Sequence, residues 1–151
     1  MMVRWRSILA SGTPTVVLAA AALVSPASAA ADGSGPHPSV EKVTSSTAAA
    51  SEPYTCFGYT DTFKSGSLMA VDWNGDRTSD ECFAIAPDQT IWHTWPRSGA
   101  WRVMPNNGVA DDTSGAWTDS ASRRVVSVWV TGYGRYCSWL TSSGWQGWHG
   151  C

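Results

Sequence analysis

The sequence predicts an all-β fold on three observations. First, apolar and aromatic runs after residue 54 are short, and Gly, Asn, Asp, Pro and Ser separate them, as in strands joined by turns. Second, no window beyond the N-terminal segment has the 3.6-residue apolar period of a helix. Third, aromatic residues recur 44 positions apart, in the pairs Trp73 and Trp117, Trp92 and Tyr136, Trp95 and Trp139, Trp101 and Trp145.

Two β-hairpins are predicted, one in each copy of this repeat. Residues 81–86 and 90–95 form the first, with a turn at 87–89, and residues 125–130 and 135–140 form the second, joined through 131–134. In the second hairpin Val126, Val128 and Val130 share one face. The hairpins superpose at the 44-residue shift, and Phe57, 44 residues before Trp101, adds a partial third copy. The sequence thus predicts about two repeats, approximately 73–116 and 117–151, each the size of a propeller blade.

The N-terminus predicts export from the cell. Two arginines, an apolar run at 16–24 and the small-residue site Ala27-Ser28-Ala29 are typical of a secretory signal peptide, expected over residues 1–29. The apolar run is too short to span ~30 Å of hydrocarbon. Removing the two arginines leaves 8 basic against 12 acidic residues, a charge of −4 instead of −2. We therefore expect a secreted, extracellular protein with no membrane span after processing and no nucleic-acid partner.

The processed chain is expected to have two parts. Residues 30–53 are rich in Gly, Pro, Ser, Thr and Ala without a sustained period, which predicts a flexible linker. Residues 54–151 form the predicted Trp-rich β-domain. All four cysteines lie in it, which predicts two disulfides in an exported chain, with three pairings open: Cys56, Cys82, Cys137 and Cys151.

Two segments carry a resemblance to a known kind of repeat. IWHTWPRSGAW (91–101) and RYCSWLTSSGWQGW (135–148) resemble the strand, turn, strand and G-W-x-x-W blade of propeller lectins, which include PLL-like, tectonin-like and small fucose-binding lectins. The resemblance covers roughly residues 82–150. It implies a homo-oligomer, because two blades cannot close a ring and the small fucose-binding group completes its ring from short chains. The alternative is a compact, disulfide-held β-domain of its own kind.

The segment 72–80 (DWNGDRTSD) is a candidate calcium loop. Its oxygens are spaced to suit a cation that takes six to eight oxygen ligands; the candidate ligands are Asp72, Asn74, Asp76, Asp80 and the backbone carbonyl of Thr78. The spacing resembles the loops of FG-GAP/VCBS-type propeller repeats, although Arg77 stands where those loops usually have Gly. The second repeat lacks the ligands at 117–120. The alternative is an Asx-type turn.

Tryptophan is the strongest compositional signal, with nine of ten between residues 73 and 148. Indole rings suit stacking on the C–H faces of sugars, but in a small β-domain more than half must also serve as core. Trp101, Trp145 and Trp148 follow turn-like segments and are expected to be exposed, while Trp92 and Trp95 lie on opposite faces of one strand. Arginines supply hydrogen-bond donors. The candidate ligand-binding set is Trp92, Trp101, Trp145, Trp148, Arg97 and Arg135.

Catalytic signatures are absent from the sequence. His37 falls in the predicted linker, His93 lies mid-strand as a structural histidine would, and no G-x-S-x-G, H-E-x-x-H or Cys–His pattern occurs. The leading hypothesis is a secreted, non-catalytic module that binds a glycan or cell-surface polysaccharide. The alternatives are a secreted protein-binding effector or inhibitor and a calcium-dependent adhesive or structural module.

Overall fold

The computed structural model describes residues 38–42 and 50–151, so the predicted signal peptide lies outside the described residues. The described part is all-β, as predicted, with one short 3₁₀ turn at Pro105–Asn107. The strands are β1 Ser39–Lys42, β2 Ser51–Cys56, β3 Tyr59–Lys64, β4 Met69–Asp72, β5 Glu81–Ile85, β6 Ile91–Thr94, β7 Arg102–Val103, β8 Asp112–Thr118, β9 Arg124–Val130, β10 Gly134–Thr141, β11 Gly144–Trp145 and β12 His149–Gly150.

The strands form two antiparallel meanders and a hairpin. Strands β4, β5, β6 and β7 are neighbours in that order and make up the first meander, with β1 added at the β4 edge. Strands β8, β9, β10 and β11 make up the second meander, with β12 paired to β10. Strands β2 and β3 pair with each other in a two-stranded sheet. Both predicted hairpins are confirmed, as β5–β6 and β9–β10.

The 44-residue repeat is preserved in the strand register. Phe83 pairs with His93 in the first meander, and Ser127 pairs with Cys137 in the second, 44 positions later on both strands. The correspondence is less regular at the outer strands, where the register of β8 against β9 shifts at Thr113. The central hairpins of the two meanders are therefore built on one sequence pattern.

Strand β5 lies at the centre of a layered arrangement. One of its faces, with Phe83 and Ile85, contributes to a core shared with Val126 and Val128 of the second meander. Its other face contributes to a second core with the β2–β3 hairpin, whose buried members are Tyr54, Phe63, Cys82, Ala84, Ala86 and Trp101. All five residues of β5 are buried because both faces are covered.

Two disulfides tie these layers together. Cys56 at the end of β2 is bonded to Cys82 in β5, which joins the hairpin to the first meander. Cys137 in β10 is bonded to Cys151, which holds the C-terminal residue against the second meander. The pairing, open from the sequence, is thus fixed, and all four cysteines are oxidised.

Part of the stretch predicted as linker takes strand structure. Residues 39–42 pair with β4, and residues 51–53 begin β2, while residues 43–49 lie outside the described residues. Edge pairing with β4 gives the β1 backbone the hydrogen-bond partners that its composition does not predict. Lys42 also forms an ion pair with Asp112 of the second meander. No helix in the described ranges is long and apolar enough to cross a membrane.

Candidate functional site

The candidate site is a cleft between the two meanders, with a volume of about 430 Å³. We call it the inter-meander cleft. It combines aromatic and charged side chains from both meanders, and its lining residues are Asp80, Glu81, His93, Trp95, Pro96, Arg97, Arg124, Leu140 and Trp145.

The register of the β5–β6 hairpin places three of these side chains on one face. Phe83 is paired with His93 in this hairpin. Glu81 and Trp95 are two residues from this pair on their respective segments, so the alternation of side chains directs them to the same face, with Trp95 just after the end of β6. Trp92 points to the opposite face and packs against the second core. The cleft and the first core therefore lie along the same face of the β5–β6 hairpin. The part of this face around Phe83 is buried in the core, and the part around Glu81 and Trp95 opens to the cleft.

Glu81 is the hydrogen-bonding centre of the cleft floor. Its Oε1 is hydrogen-bonded to Nδ1 of His93 at 2.7 Å and accepts Nε1–H of Trp145 at 3.3 Å. Its Oε2 accepts Nε1–H of Trp73 at 3.1 Å. The carboxylate is buried, and burial of a polar group is tolerated where such partners replace water. One side chain therefore fixes two indoles and an imidazole from both meanders.

The tryptophans of the cleft are held in place by ring contacts. The centroids of His93 and Trp95 are 4.9 Å apart, and the Trp95 side is open, with 36% of the residue exposed. Trp145 meets Phe83 edge to face at 5.6 Å and lies 6.3 Å from Trp73. Both cleft indoles are thus positioned before any ligand arrives.

Two exposed arginines complete the lining. Arg97 lies in the turn after β6, where the N–H of Ser98 donates to the carbonyl of Trp95 at 3.0 Å, and its φ is +70°. Arg124 begins β9, with its guanidinium carbon 5.4 Å from the Trp73 ring centroid. Among the described residues neither guanidinium has a hydrogen-bond acceptor or an acidic partner. By contrast, Arg123 is paired with Asp119.

Two members of the candidate ligand-binding set lie in the cleft, namely Trp145 and Arg97. Trp101 does not: it was expected to be exposed, but only 5% of it is, and its ring packs 4.5 Å from Phe63 in the second core. Its Nε1–H is taken by the carbonyl of Tyr59. The indole of Trp101 fills the space between the β2–β3 hairpin and the first meander. The turn-like Ser and Gly residues before it gave no indication of this burial.

The other three members lie elsewhere. Trp92 is half-buried, and its Nε1–H donates to Oγ1 of Thr90 at 2.7 Å. Trp148 is half-buried rather than exposed, packs on Gly108 and lines a separate cavity of about 250 Å³. Arg135 is exposed in β10 opposite Trp129. The structure adds Glu81, His93, Trp95 and Arg124. For the first three the sequence holds a signal, because the predicted bounds of the first hairpin, with residue 86 opposite residue 90, would set them on one face.

The segment 72–80 is arranged as a series of Asx turns. The carboxylate of Asp72 accepts the backbone N–H groups of Asn74, Gly75, Asp76 and Arg77 at 2.6–3.3 Å. Asn74, Asp76 and Asp80 accept backbone N–H groups within the loop in the same way. Burial opposes ionisation of Asp72, but these amides outweigh it and hold the pKa of Asp72 below its usual value.

The side-chain oxygens of this loop are engaged with the loop's own backbone N–H groups. Within residues 38–42 and 50–151 no group of three or more His, Cys, Asp or Glu side chains is placed to hold a metal ion. The calcium site stays a prediction that the loop geometry does not favour. A ligand that binds only the native state raises the melting temperature by mass action, so removing bound calcium would lower it. We expect a chelator to leave the melting temperature unchanged. A fall with EDTA that calcium reverses would contradict this expectation.

Comparison with known proteins gives no relative. No family model matches the chain, and no curated protein or solved structure matches it.

Proposed function

We propose that this protein is a secreted, non-catalytic binding module that binds carbohydrate in the inter-meander cleft. The observation that carries the proposal is that Trp95 and Trp145 line one cleft together with Arg97 and Arg124, whose guanidiniums have no acceptor among the described residues. Indoles offer flat apolar faces to sugar C–H groups, and polar side chains at the rim take up hydroxyls. The volume lies within the range of 300–1,000 Å³ that is typical of small-ligand sites.

The rigidity of the cleft supports this proposal. Trp145 donates its Nε1–H to Glu81, and the ring of Trp95 packs against that of His93, which is itself hydrogen-bonded to Glu81. Side chains that are already ordered lose little rotamer entropy when a ligand binds. The two disulfides are compatible with the oxidising environment outside cells that secretion implies.

The organisation of the meanders supports the blade-like interpretation within the same proposal. Each meander has four antiparallel strands, the strand number of a propeller blade. Trp101 packs against the hairpin that precedes the first meander, and Trp145, 44 residues later, packs against the first meander, which precedes the second. On this basis we propose two blade-like repeats in which corresponding tryptophans pack against the preceding unit.

Truncation of Trp95 tests the proposal. We expect a glycan array probed with the purified protein to give hits that share one sugar class. Trp95→Ala is expected to weaken that binding at least tenfold, or about 1.4 kcal/mol, because it removes the most exposed ring of the cleft. Affinity by calorimetry and the melting temperature should be measured together, so that loss of binding is separated from loss of fold.

Trp129→Ala is the matched control for Trp95→Ala. Trp129 is 48% exposed in β9 and lies outside the cleft, so its removal should leave the sugar affinity unchanged. Equal losses for the two variants would contradict a site in the cleft, and a blank array from folded protein would contradict carbohydrate binding.

Protein binding is a second candidate function, favoured by a different surface. Tyr133, in the β9–β10 turn, is 79% exposed, and Trp129 lies in the adjoining part of β9. Large exposed aromatic side chains are enriched at protein interfaces. If this surface is functional, Trp129→Ala abolishes capture of the partner while Trp95→Ala leaves it intact, the reverse of the result for a sugar.

A further inference from the structure

We propose that the ligand of the inter-meander cleft is an anionic saccharide, held by Arg97 and Arg124. The inference rests on the proposed carbohydrate-binding function and names the class of its ligand. It is carried by the charged groups of the cleft and by the backbone conformation of Arg97.

The charged groups of the cleft differ in what they leave free for a ligand. Glu81 has three N–H partners, and Oδ2 of Asp80 accepts the backbone N–H of Trp73 at 2.8 Å. Arg97 and Arg124 are exposed and have no acceptor among the described residues. Among the described residues Oδ1 of Asp80 accepts no hydrogen bond, so the charged groups left free are one carboxylate oxygen and the two guanidiniums, beside the indole rings. The two guanidiniums supply the unused donors. The formal charge of the whole chain is −2, so this local excess of free donors is not a general basic surface.

The backbone at Arg97 is a second, independent observation. The Trp95–Ser98 turn has Pro96 at its second position and a φ of +70° at its third, a combination that favours Gly or Asn there. A side chain with a Cβ strains this conformation. Arg97 is one of six non-glycine residues with a positive φ in the described ranges, and of these six it is the one that lines the cleft. Arginine is thus held at the cleft in a position where the turn itself favours glycine.

The turn that carries Arg97 is held by hydrogen bonds of the buried Ser98 side chain. Ser98 is buried, its hydroxyl lies 2.7 Å from that of Thr94, and it donates to the carbonyl of Ala100 at 2.9 Å. These bonds keep the turn in one conformation at the end of β6. The backbone that carries the Arg97 side chain is therefore already ordered at the cleft rim, which reduces the conformational entropy lost when a ligand binds.

Guanidinium groups match planar or tetrahedral anions through paired N–H donors. A carboxylate or sulfate on a sugar receives two charge-assisted hydrogen bonds from one arginine, a geometry that a hydroxyl cannot reproduce. The sugar ring bearing that anion stacks on Trp95. Uronic acids and sulfated sugars share this chemistry, and the experiment distinguishes them.

The test measures binding of the purified protein to polygalacturonate, dextran sulfate and neutral dextran, each at low and at high salt. We expect binding to one or both anionic polymers and not to dextran, with an affinity that falls as salt rises. Preference for polygalacturonate assigns a carboxylate, and preference for dextran sulfate assigns a sulfate. Arg97→Gly and Arg124→Gln should each lower the affinity at least tenfold.

Arg77→Gly is the matched control for Arg97→Gly. Arg77 has a φ of +72° and lies in the 72–80 loop outside the cleft, so its replacement removes the same charge and relieves the same backbone strain. We expect both variants to keep or raise the melting temperature, and only Arg97→Gly to lose binding.

Each contrary outcome has a distinct meaning. Salt-independent binding to neutral glycans alone would overturn the anionic ligand and leave the proposed function standing. No binding to any glycan would overturn both. Equal losses for Arg77→Gly and Arg97→Gly would show an effect of net charge rather than of the cleft, and would overturn the inference.

Discussion

Replacing Cys56 and Cys82 by Ala is expected to lower the free energy of unfolding by roughly 3.5 kcal/mol. The figure follows from the loop-closure entropy of a chain cross-linked over 26 residues. Such a loss is a large fraction of the 5–15 kcal/mol that is typical of a whole domain. Alanine is preferred to serine because Cys82 is buried in the second core, where a hydroxyl would need a partner. Urea unfolding of the oxidised wild type and the double variant measures the difference.

The second disulfide supplies the matched control. Cys137 and Cys151 are 14 residues apart, so the same estimate gives roughly 3 kcal/mol for their removal. The two variants should differ in where the molecule opens. Cys56–Cys82 joins the β2–β3 hairpin to β5, whereas Cys137–Cys151 holds the C-terminal residue against β10. We expect amide exchange in the hairpin to accelerate only in the first variant; equal protection of the hairpin in both would contradict the prediction.

The central hairpins were predictable because their signal is local. Alternation at Val126, Val128 and Val130 and the turn residues around Gly132 and Gly134 fix strand, face and turn within one short segment. The structure confirms each of these points and preserves the 44-residue spacing in the register of both hairpins. The disulfide pairing, in contrast, depends on which layers meet, and no local pattern encodes that.

Burial of individual tryptophans could not be predicted from their neighbours. Trp101 and Trp145 occupy equivalent positions of the repeat and follow similar Ser- and Gly-containing turns, yet Trp101 is enclosed and Trp145 is half-buried. The difference arises from what covers each ring. Phe63 of the β2–β3 hairpin packs closely on Trp101, while Trp145 lines the open cleft.

The cleft itself was only partly predictable. Arg97 and Trp145 were candidates from composition and turns, whereas Glu81 reads as an ordinary first residue of an apolar strand. The predicted bounds of the first hairpin, with residue 86 opposite residue 90, would set Glu81 on the face of His93 and Trp95, and a polar group at the end of an apolar face is the signal that was available. That Trp73 and Trp145 also donate to it depends on packing between the meanders.

Removing the carboxylate of Glu81 is expected to destabilise the fold strongly. Glu81→Ala leaves three ring N–H groups without their acceptor, those of Trp73 and Trp145 and the hydrogen-bonded nitrogen of His93. The bonds from Trp73 and His93 are buried, while that from Trp145 lies at the open cleft. Each buried unsatisfied group costs about 1–3 kcal/mol, so the variant should lose roughly 2 kcal/mol or more. Glu41→Gln, at an exposed position in β1, is the control and should change stability by less than about 0.5 kcal/mol. Urea unfolding followed by tryptophan fluorescence measures both.

A double-mutant cycle separates the hydrogen bonds of Glu81 from simple loss of packing. Glu81→Gln keeps one carbonyl acceptor and places an amide N–H₂ where the other oxygen was. In one orientation the amide N–H₂ faces the donor of Trp73, and in the other it faces the donors of His93 and Trp145. If the amide faces Trp73, Trp73→Phe removes that opposing donor, and the double variant should be more stable than the sum of the two single losses predicts. The coupling should be absent between Glu41→Gln and Trp73→Phe. The network would be contradicted if the losses in free energy of unfolding were strictly additive in both cycles, that of Glu81→Gln with Trp73→Phe and that of Glu81→Gln with Trp145→Phe. Independent packing losses add, whereas the losses of donors that share one buried carboxylate do not.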